Sequence, residues 1–183
     1  MTKLIVALDT EQAELAKVWV RRLGPGVTFY KVGMELFTVA GPEMVTWLKE
    51  QGKQVFLDLK YHDIPNSASR AVAAAARLEV DLCTIHAAGG EEMLRACRER
   101  CGDTKLLAVT VLTSFDADHL HRVGIQGPLG DHVRAMAELA HGAGIHGVIC
   151  APTDLDSLAD MPRDFLRVTP GIRPADGDAG DQR

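Results

Sequence analysis

The chain has 183 residues, of which 46% are hydrophobic and 25% are charged, with a formal net charge of −5 and a pI near 5.8. This length suits one domain with a substantial core, and the composition is that of an ordinary globular protein. The acidic balance argues against nucleic-acid binding, because nucleic-acid binders usually carry a clustered basic surface.

Seven short apolar segments predict β-strands, with helical sequence between them. The predicted strands are residues 3–9, 27–33, 54–60, 81–87, 105–113, 147–152 and 165–171. Helix-like stretches include residues 11–23, 66–78 and 130–144. Strands that alternate with helices predict right-handed βαβ units, an α/β fold and a parallel sheet.

The strand spacing favours a barrel. The first five predicted strands end at Asp9, Gly33, Lys60, Ala87 and Thr113, at intervals of 24 to 27 residues. A doubly wound sheet is the alternative, but it usually carries a glycine-rich loop after its first strand, where this chain has LDTEQAE. We therefore expect a single (β/α)8 TIM-barrel domain over residues 1–183, truncated after strand 7 and lacking strand 8 and the final helices.

The third predicted strand carries charge on one face. Residues two apart in a strand point to the same side, so Phe56, Asp58 and Lys60 share a face. The opposite face is wholly apolar: Val55, Leu57 and Leu59. Because the apolar face must pack against helices, we expect the charged face to point into the barrel at its C-terminal mouth, where TIM barrels place their active sites.

The first two strands end in the same way. Asp9 ends the inward face of the first strand, and Lys31 ends that of the second. With Asp58 and Lys60 they should form a network of alternating carboxylates and ammoniums, which reduces the desolvation penalty of each ion. Structural ion pairs that cap a barrel layer are the alternative, but three neighbouring strands ending in charge favour a functional site.

The segment after the third strand adds a further acidic residue. An extended Ile64–Pro65 step predicts Asn66 or Ser67 as the N-cap of the next helix. Capping leaves Asp63 unexplained, so we expect it to have another role.

The loop after the seventh strand is rich in glycine and proline and carries Arg173, Gln182 and Arg183. Loops after strands seven and eight of TIM barrels commonly hold phosphate, which arginine binds well. We therefore predict phosphate capture here, with a surface loop carrying incidental arginines as the alternative.

The cysteines and histidines predict neither disulfides nor a metal site. No CxxC spacing occurs among the cysteines, which favours reduced thiols and a cytoplasmic location: Cys83, Cys97, Cys101 and Cys150. Four histidines lack companion ligands at metal spacing: His119, His121, His141 and His146. His86 follows Thr84 on one strand face and could border the site or lie in the core.

The apolar segments also predict no membrane attachment. Before Asp9 the sequence has one early lysine and a short apolar run, too short for the core of a secretion signal. No apolar stretch is long enough to cross a bilayer.

Taken in order, these motifs resemble the orotidine 5′-monophosphate decarboxylase family. The resemblance is carried by VALD at 6–9, KVG at 31–33, FLDLKYHDIPNS at 56–67, VTVLTS at 109–114, and the stretch from VTPGIRP to GDQR. The pattern D-x-K-x-x-D-I-P-N is highly specific to this family, whereas D-x-K-x-x-D alone also occurs in related sugar-phosphate decarboxylases.

The resemblance implies a cofactor-independent carboxy-lyase that converts orotidine 5′-monophosphate to UMP in pyrimidine biosynthesis. It also implies a homodimer with shared active sites. Lys60 would protonate C6 of the pyrimidine, and Asp58 would lie beside the departing carboxylate. Asp9 and Lys31 would complete the charged network and bind the ribose hydroxyls.

Further substrate contacts are implied outside this network. Asp63 would reach the ribose of the partner subunit's substrate and belong to the catalytic set. Ile64 and Ser67 would line the same shared site, with Ser67 in place of a threonine frequent in the family. Thr113 would contact the pyrimidine region.

Arg173 and Gln182 would hold the phosphate, but the resemblance also implies a further helix and an eighth strand after GDQR. Without them we expect a chain that is poorly stable or inactive. Two alternatives to the decarboxylase therefore stay open: a fragment that only binds nucleotide or dimerises, and a metal-dependent sugar-phosphate decarboxylase.

Overall fold

Seven parallel strands form one curled sheet in the computed structural model, which describes residues 2–172. The strands are β1 (Val6–Ala7), β2 (Phe29–Gly33), β3 (Gln54–Tyr61), β4 (Leu82–His86), β5 (Lys105–Val109), β6 (Gly147–Ile149) and β7 (Leu166–Val168). The helices are α1 (Ala13–Leu23), α2 (Met34–Glu50), α3 (Pro65–Ala76), α4 (Gly90–Arg100), α5 (Ala117–Arg122) and α6 (Leu129–Gly142).

The strand order settles the architecture. Strands that are neighbours in the chain are neighbours in the sheet, in the order β1 to β7, and every pair is parallel. A doubly wound sheet would instead reverse its strand order at a switch point. The predicted α/β class of the TIM-barrel type is confirmed, and the doubly wound alternative is wrong.

Two apolar layers lie on opposite faces of this sheet. Val55 and Leu57 belong to the large cluster that also contains the buried faces of the helices. Phe56 belongs to a smaller cluster formed by residues of the strands and their flanks alone, with Phe29 and Leu107 among its members. The predicted division of the third strand into a helix-facing side and an inward side is therefore confirmed.

The helices pack against the larger of the two apolar clusters, the one that also contains Val55 and Leu57. In α1 the buried residues are Ala16 and Val20, one helical turn apart, which is the spacing of an amphipathic helix. Helix α2 is broken at Gly41, whose φ of 60° lies outside the helical region, and Pro42 follows at once. The break divides α2 into two segments.

No helix within residues 2–172 has both the length and the apolar character needed to cross a membrane.

Two of the boundaries that differ from the sequence prediction concern predicted site or capping residues. Helix α3 begins at Pro65, with Ile64 in the cap position at φ −58° and ψ 151°, so the predicted cap at Asn66 or Ser67 is wrong. Proline is favoured at the first helical position because its missing N–H would have no partner there. Strand β5 ends at Val109, so Thr113 lies in the turn before α5 and not at a strand end.

Candidate active site

Four charged side chains converge at the C-terminal ends of β1, β2 and β3. The Nζ atom of Lys31 donates to Oδ1 of Asp9 at 2.9 Å, and Nζ of Lys60 donates to Oδ2 of Asp58 at 2.9 Å. A longer contact of 3.9 Å between Lys31 Nζ and Asp58 Oδ2 joins the two pairs. The predicted alternation of carboxylates and ammoniums is present.

The network runs from solvent towards the interior. The Asp9 side chain is 67% exposed, whereas that of Asp58 is only 13% exposed. Lys31 and Lys60 are 21% and 26% exposed. A carboxylate as buried as Asp58 is costly to desolvate unless it is paired, and here two ammoniums face the same oxygen. Asp58 is therefore the centre of the network.

The β3–β4 pairing is irregular at the point where the charges meet. Leu57 pairs with Cys83 and Tyr61 with Ile85, so three residues of β3 lie opposite the single residue Thr84. Within this bulge Lys60 has a φ of 51°, in the left-handed region that residues with side chains rarely adopt. Bulges of this kind redirect side chains next to active sites.

A threonine hydroxyl fills the gap that the bulge leaves. Thr84 is fully buried, and its Oγ1 accepts a hydrogen bond from the backbone N of Lys60 at 2.8 Å. The same Oγ1 donates to Oδ1 of Asp58 at 3.0 Å. Sequence reasoning placed Thr84 on the same strand face as His86 but did not assign it to the site.

Gly33 was also missed. A Cβ at this position would lie 3.1 Å from Nζ of Lys31 and 3.6 Å from Oδ1 of Asp9, so glycine leaves the space that this ion pair occupies. The signal in the sequence was a glycine directly at the end of a charged strand.

The segment between β3 and α3 lies outside the network. Asp63, Ile64 and Ser67 are exposed, and Oδ1 of Asp63 accepts from the backbone N of Ile64 at 2.7 Å. Within residues 2–172, Asp63 forms no ion pair with Lys60. The structure therefore keeps this predicted site residue separate from the Asp58–Lys60 pair of its own chain.

Thr113, Arg173 and Gln182 are the remaining residues predicted to contact the substrate. Thr113 lies in the turn that follows β5. Arg173 and Gln182, predicted to hold phosphate, lie outside the described residues.

His86 borders the network. Its ring stacks on that of His62, with ring centroids 5.1 Å apart and an interplanar angle of 30°. Burial lowers the pKa of His86, and the nearby His62 and Lys60 lower it further, against the opposing effect of Asp58. A neutral imidazole is therefore favoured at this edge of the site, with His86 only partly buried.

The charged network lies away from two cavities at the opposite end of the strands. Two open cavities of about 230 and 270 Å³ lie instead at the N-terminal ends of the strands, beside Gln54 and Lys105 respectively. In the described part of the chain, no three His, Cys, Asp or Glu side chains are grouped to hold a metal ion.

This arrangement can perform two chemical tasks. The Lys60 ammonium, held at a fixed position by Asp58, can stabilise a negative charge that develops nearby and can supply a proton to it. The buried carboxylate of Asp58 would repel a second carboxylate placed beside it.

Comparison with known proteins gives a consistent match over the whole chain. Residues 2–183 match the model of the orotidine 5′-phosphate decarboxylase / HUMPS family. Orotidine 5′-phosphate decarboxylase of Sodalis glossinidius is 45% identical over 186 residues, which cover 98% of this chain and 74% of that protein. The protein of the same name from Vibrio cholerae is 46% identical, over 99% of this chain and 81% of that protein.

Solved structures agree. The crystal structure of orotidine 5′-phosphate decarboxylase from Lactobacillus acidophilus has a TM-score of 0.89 and 39% identity, with 96% of this chain and 83% of that chain covered. An uncharacterized conserved protein from Geobacillus kaustophilus has a TM-score of 0.86, also at 39% identity, covering 90% of this chain and 81% of that chain.

Proposed function

Because the chain belongs to the orotidine 5′-phosphate decarboxylase / HUMPS family, we propose that it converts orotidine 5′-monophosphate to UMP. This is the activity of a carboxy-lyase in pyrimidine biosynthesis. The observation that carries the proposal is the continuous Asp9–Lys31–Asp58–Lys60 network at the ends of three neighbouring strands.

Lys60 is the proton donor in this proposal. Cleavage of the bond between C6 and the carboxylate releases CO2, and the electron pair of that bond stays on C6. The pyrimidine ring delocalises the resulting negative charge poorly. The ammonium of Lys60 stabilises this charge as it develops and then transfers a proton to C6, and solvent returns a proton to the amine. With solvent as the final proton source, this proposal involves no cofactor.

Asp58 acts in two ways. Its Oδ2 holds the ammonium of Lys60 at 2.9 Å, which fixes the proton donor. In this proposal Asp58 also lies beside the carboxylate of the bound substrate. Two carboxylates 4 Å apart repel by roughly 4 kcal/mol at an effective dielectric constant of 20. Departure of CO2 relieves that repulsion.

The remaining contacts bind the nucleotide. Lys31 lies 3.9 Å from the same oxygen of Asp58 that Lys60 contacts and, with Asp9, binds the ribose hydroxyls. Thr113 contacts the pyrimidine region, and Arg173 and Gln182 bind the phosphate. Binding energy from these distant contacts favours the transition state by ordering the site around the reacting ring.

We further propose a homodimer in which Asp63 binds the ribose of the partner subunit's substrate, with Ile64 and Ser67 lining the same shared site. The exposure of all three residues, and the separation of Asp63 from its own chain's network, support this arrangement. A cytoplasmic location is supported by the four cysteines of residues 2–172, which are all buried and form no disulfide bond.

The substitution Lys60→Ala tests the proposed chemistry. We expect turnover of orotidine 5′-monophosphate to fall by at least about 10³-fold, because the interaction that it removes develops mainly in the transition state. UMP binding, measured by calorimetry, should remain detectable. The control Lys3→Ala removes an exposed lysine far from the network and should leave turnover unchanged.

Near-normal turnover by Lys60→Ala would contradict the role of Lys60. UMP binding by the unsubstituted chain without any decarboxylation would contradict the proposed activity itself. Activity that survives EDTA, with no turnover of a keto-sugar phosphate, would separate this chain from the metal-dependent sugar-phosphate decarboxylases.

A further inference from the structure

We infer that Thr84 is a positioning residue, whose hydroxyl holds the Lys60 backbone and the Asp58 carboxylate in the geometry that the reaction requires. This inference rests on the proposed function for its catalytic consequence. Its structural content stands on the hydrogen bonds of β3 and β4 alone.

The direction of each hydrogen bond is fixed by chemistry. A backbone N–H can only donate, so the hydroxyl oxygen of Thr84 accepts from Lys60 at 2.8 Å. The single hydroxyl proton is then available for Oδ1 of Asp58, at 3.0 Å. One side chain thus satisfies a donor and an acceptor that belong to two residues of the same strand.

The contact to Asp58 orients the carboxylate. With Oδ1 held by Thr84, the other oxygen, Oδ2, faces Lys60 at 2.9 Å and Lys31 at 3.9 Å. Rotation of the carboxylate about its last bond would break the hydroxyl contact and both ammonium contacts together. Thr84 therefore fixes the plane in which the Asp58 carboxylate meets the two lysines.

The contact to Lys60 stabilises an unusual backbone. The bulge takes the Lys60 N–H out of the regular ladder between β3 and β4, and a buried N–H without an acceptor is destabilising. A left-handed φ at a residue with a side chain is itself unfavourable and persists only where the surroundings enforce it. The Thr84 hydroxyl supplies the missing acceptor at that position.

The location of Thr84 makes it a rigid anchor. It lies in the middle of β4, pairs with Leu107 of β5 and is fully buried. A β-branched side chain has restricted χ1 freedom, so the hydroxyl is held in place before substrate arrives. Residues on rigid strands position a site more precisely than residues on loops.

The test compares Thr84→Val with Thr84→Ser. Valine keeps the shape and removes the hydroxyl, so we expect kcat for orotidine 5′-monophosphate to fall about 10- to 100-fold, with KM changed less than about threefold. Serine keeps the hydroxyl and should retain most of the wild-type kcat.

The matched control is Thr104→Val. Thr104 is also buried and its hydroxyl donates to the backbone O of Val80 at 2.8 Å, outside the site. This variant should lose stability on thermal unfolding without a fall in kcat. Equal kcat losses in Thr104→Val and Thr84→Val would overturn the inference, as would a Thr84→Ser variant as impaired as Thr84→Val.

A crystal structure of Thr84→Val gives a readout that does not depend on turnover. We expect the φ of Lys60 to leave the left-handed region, or its Nζ to move away from Oδ2 of Asp58. An unchanged Lys60–Asp58 geometry would overturn the inference even if the wild-type chain proves inactive. Failure of the proposed function would appear separately, as absence of decarboxylation by the wild-type chain.

Discussion

Outside the site, the protonation state of His146 affects the stability of the folded chain. Its Nδ1 accepts a hydrogen bond from the backbone N of Leu106 at 3.0 Å, which requires an unprotonated nitrogen. Burial lowers the pKa of His146, and the nearby charges of Arg98 and Lys105 lower it further. The folded chain therefore favours the neutral imidazole at the point where β5 begins.

The linkage predicts a loss of stability in mild acid. In the unfolded chain His146 titrates near its ordinary pKa of 6.5, and in the folded chain it titrates lower. Its contribution is therefore fully present above the unfolded pKa and is lost as the pH falls through 6.5 towards the folded value. We expect denaturant unfolding to show a smaller stability loss between about pH 7.5 and about pH 5.5 in His146→Asn than in wild type.

The control for this prediction is His121→Asn, because His121 is exposed. It should keep the wild-type pH dependence. If His146→Asn loses as much stability in acid as the wild type does, the hydrogen bond to Leu106 is not the cause.

At the scale of elements, the contact between β6 and β7 depends on a glycine. Gly147 is buried and pairs with Leu166 in the register of these strands. A Cβ at position 147 would overlap the carbonyl oxygen of Leu166 and lie 2.5 Å from its Cβ. Backbone atoms cannot move aside as a flexible side chain can, so any larger residue must displace β7.

We therefore expect Gly147→Ala to destabilise the chain by about 1–3 kcal/mol, the usual cost of overpacking a core. Denaturant unfolding measures this directly. Gly142→Ala is the matched control, because a Cβ at that position in α6 meets no atom within 4 Å. Alanine is the better helix former, so the control should be neutral or slightly stabilising, and equal stabilities for the two variants would refute the packing argument.

Strand β3 illustrates which features of the fold could be predicted from the sequence. Period-two alternation placed Phe56 inward and Val55 outward, because successive side chains of a strand point to opposite faces of the sheet. The charged strand ends followed from the same rule. The bulge at Lys60 could not be predicted in this way. It involves a hydrogen bond to Thr84, 24 residues further along the chain, and the pairing register of β3 and β4 cannot be read from the alternation of apolar and polar residues.

At the scale of the whole molecule, apolar side chains stand exposed around the charged mouth. Met34, directly after β2, is 55% exposed, and Ile64, after β3, is 67% exposed. Apolar side chains exposed beside a binding site are available to contact a partner. They lie on the same side of the sheet as Asp63, where the proposed partner subunit would complete the site.

Subunit mixing tests this shared site. In the proposed dimer, Lys60→Ala and Asp63→Ala each remove one half of a site to which two chains contribute, so each homodimer should be strongly impaired. In a mixed dimer one site inherits both substitutions and the other inherits neither. Random assembly of equal amounts should therefore restore native composition to about a quarter of all sites. The measurement is the decarboxylation rate after co-expression of the two variants.

The control pair is Lys60→Ala with Asp58→Ala, whose side chains come from the same strand of one subunit. Each site of that mixed dimer carries one of the two substitutions, so mixing cannot restore activity. Recovery in the first mixture and none in the second requires Asp63 to act across the interface. Equal behaviour of the two mixtures would instead place Asp63 with the site of its own chain, and the exposed segment after β3 would then need another explanation.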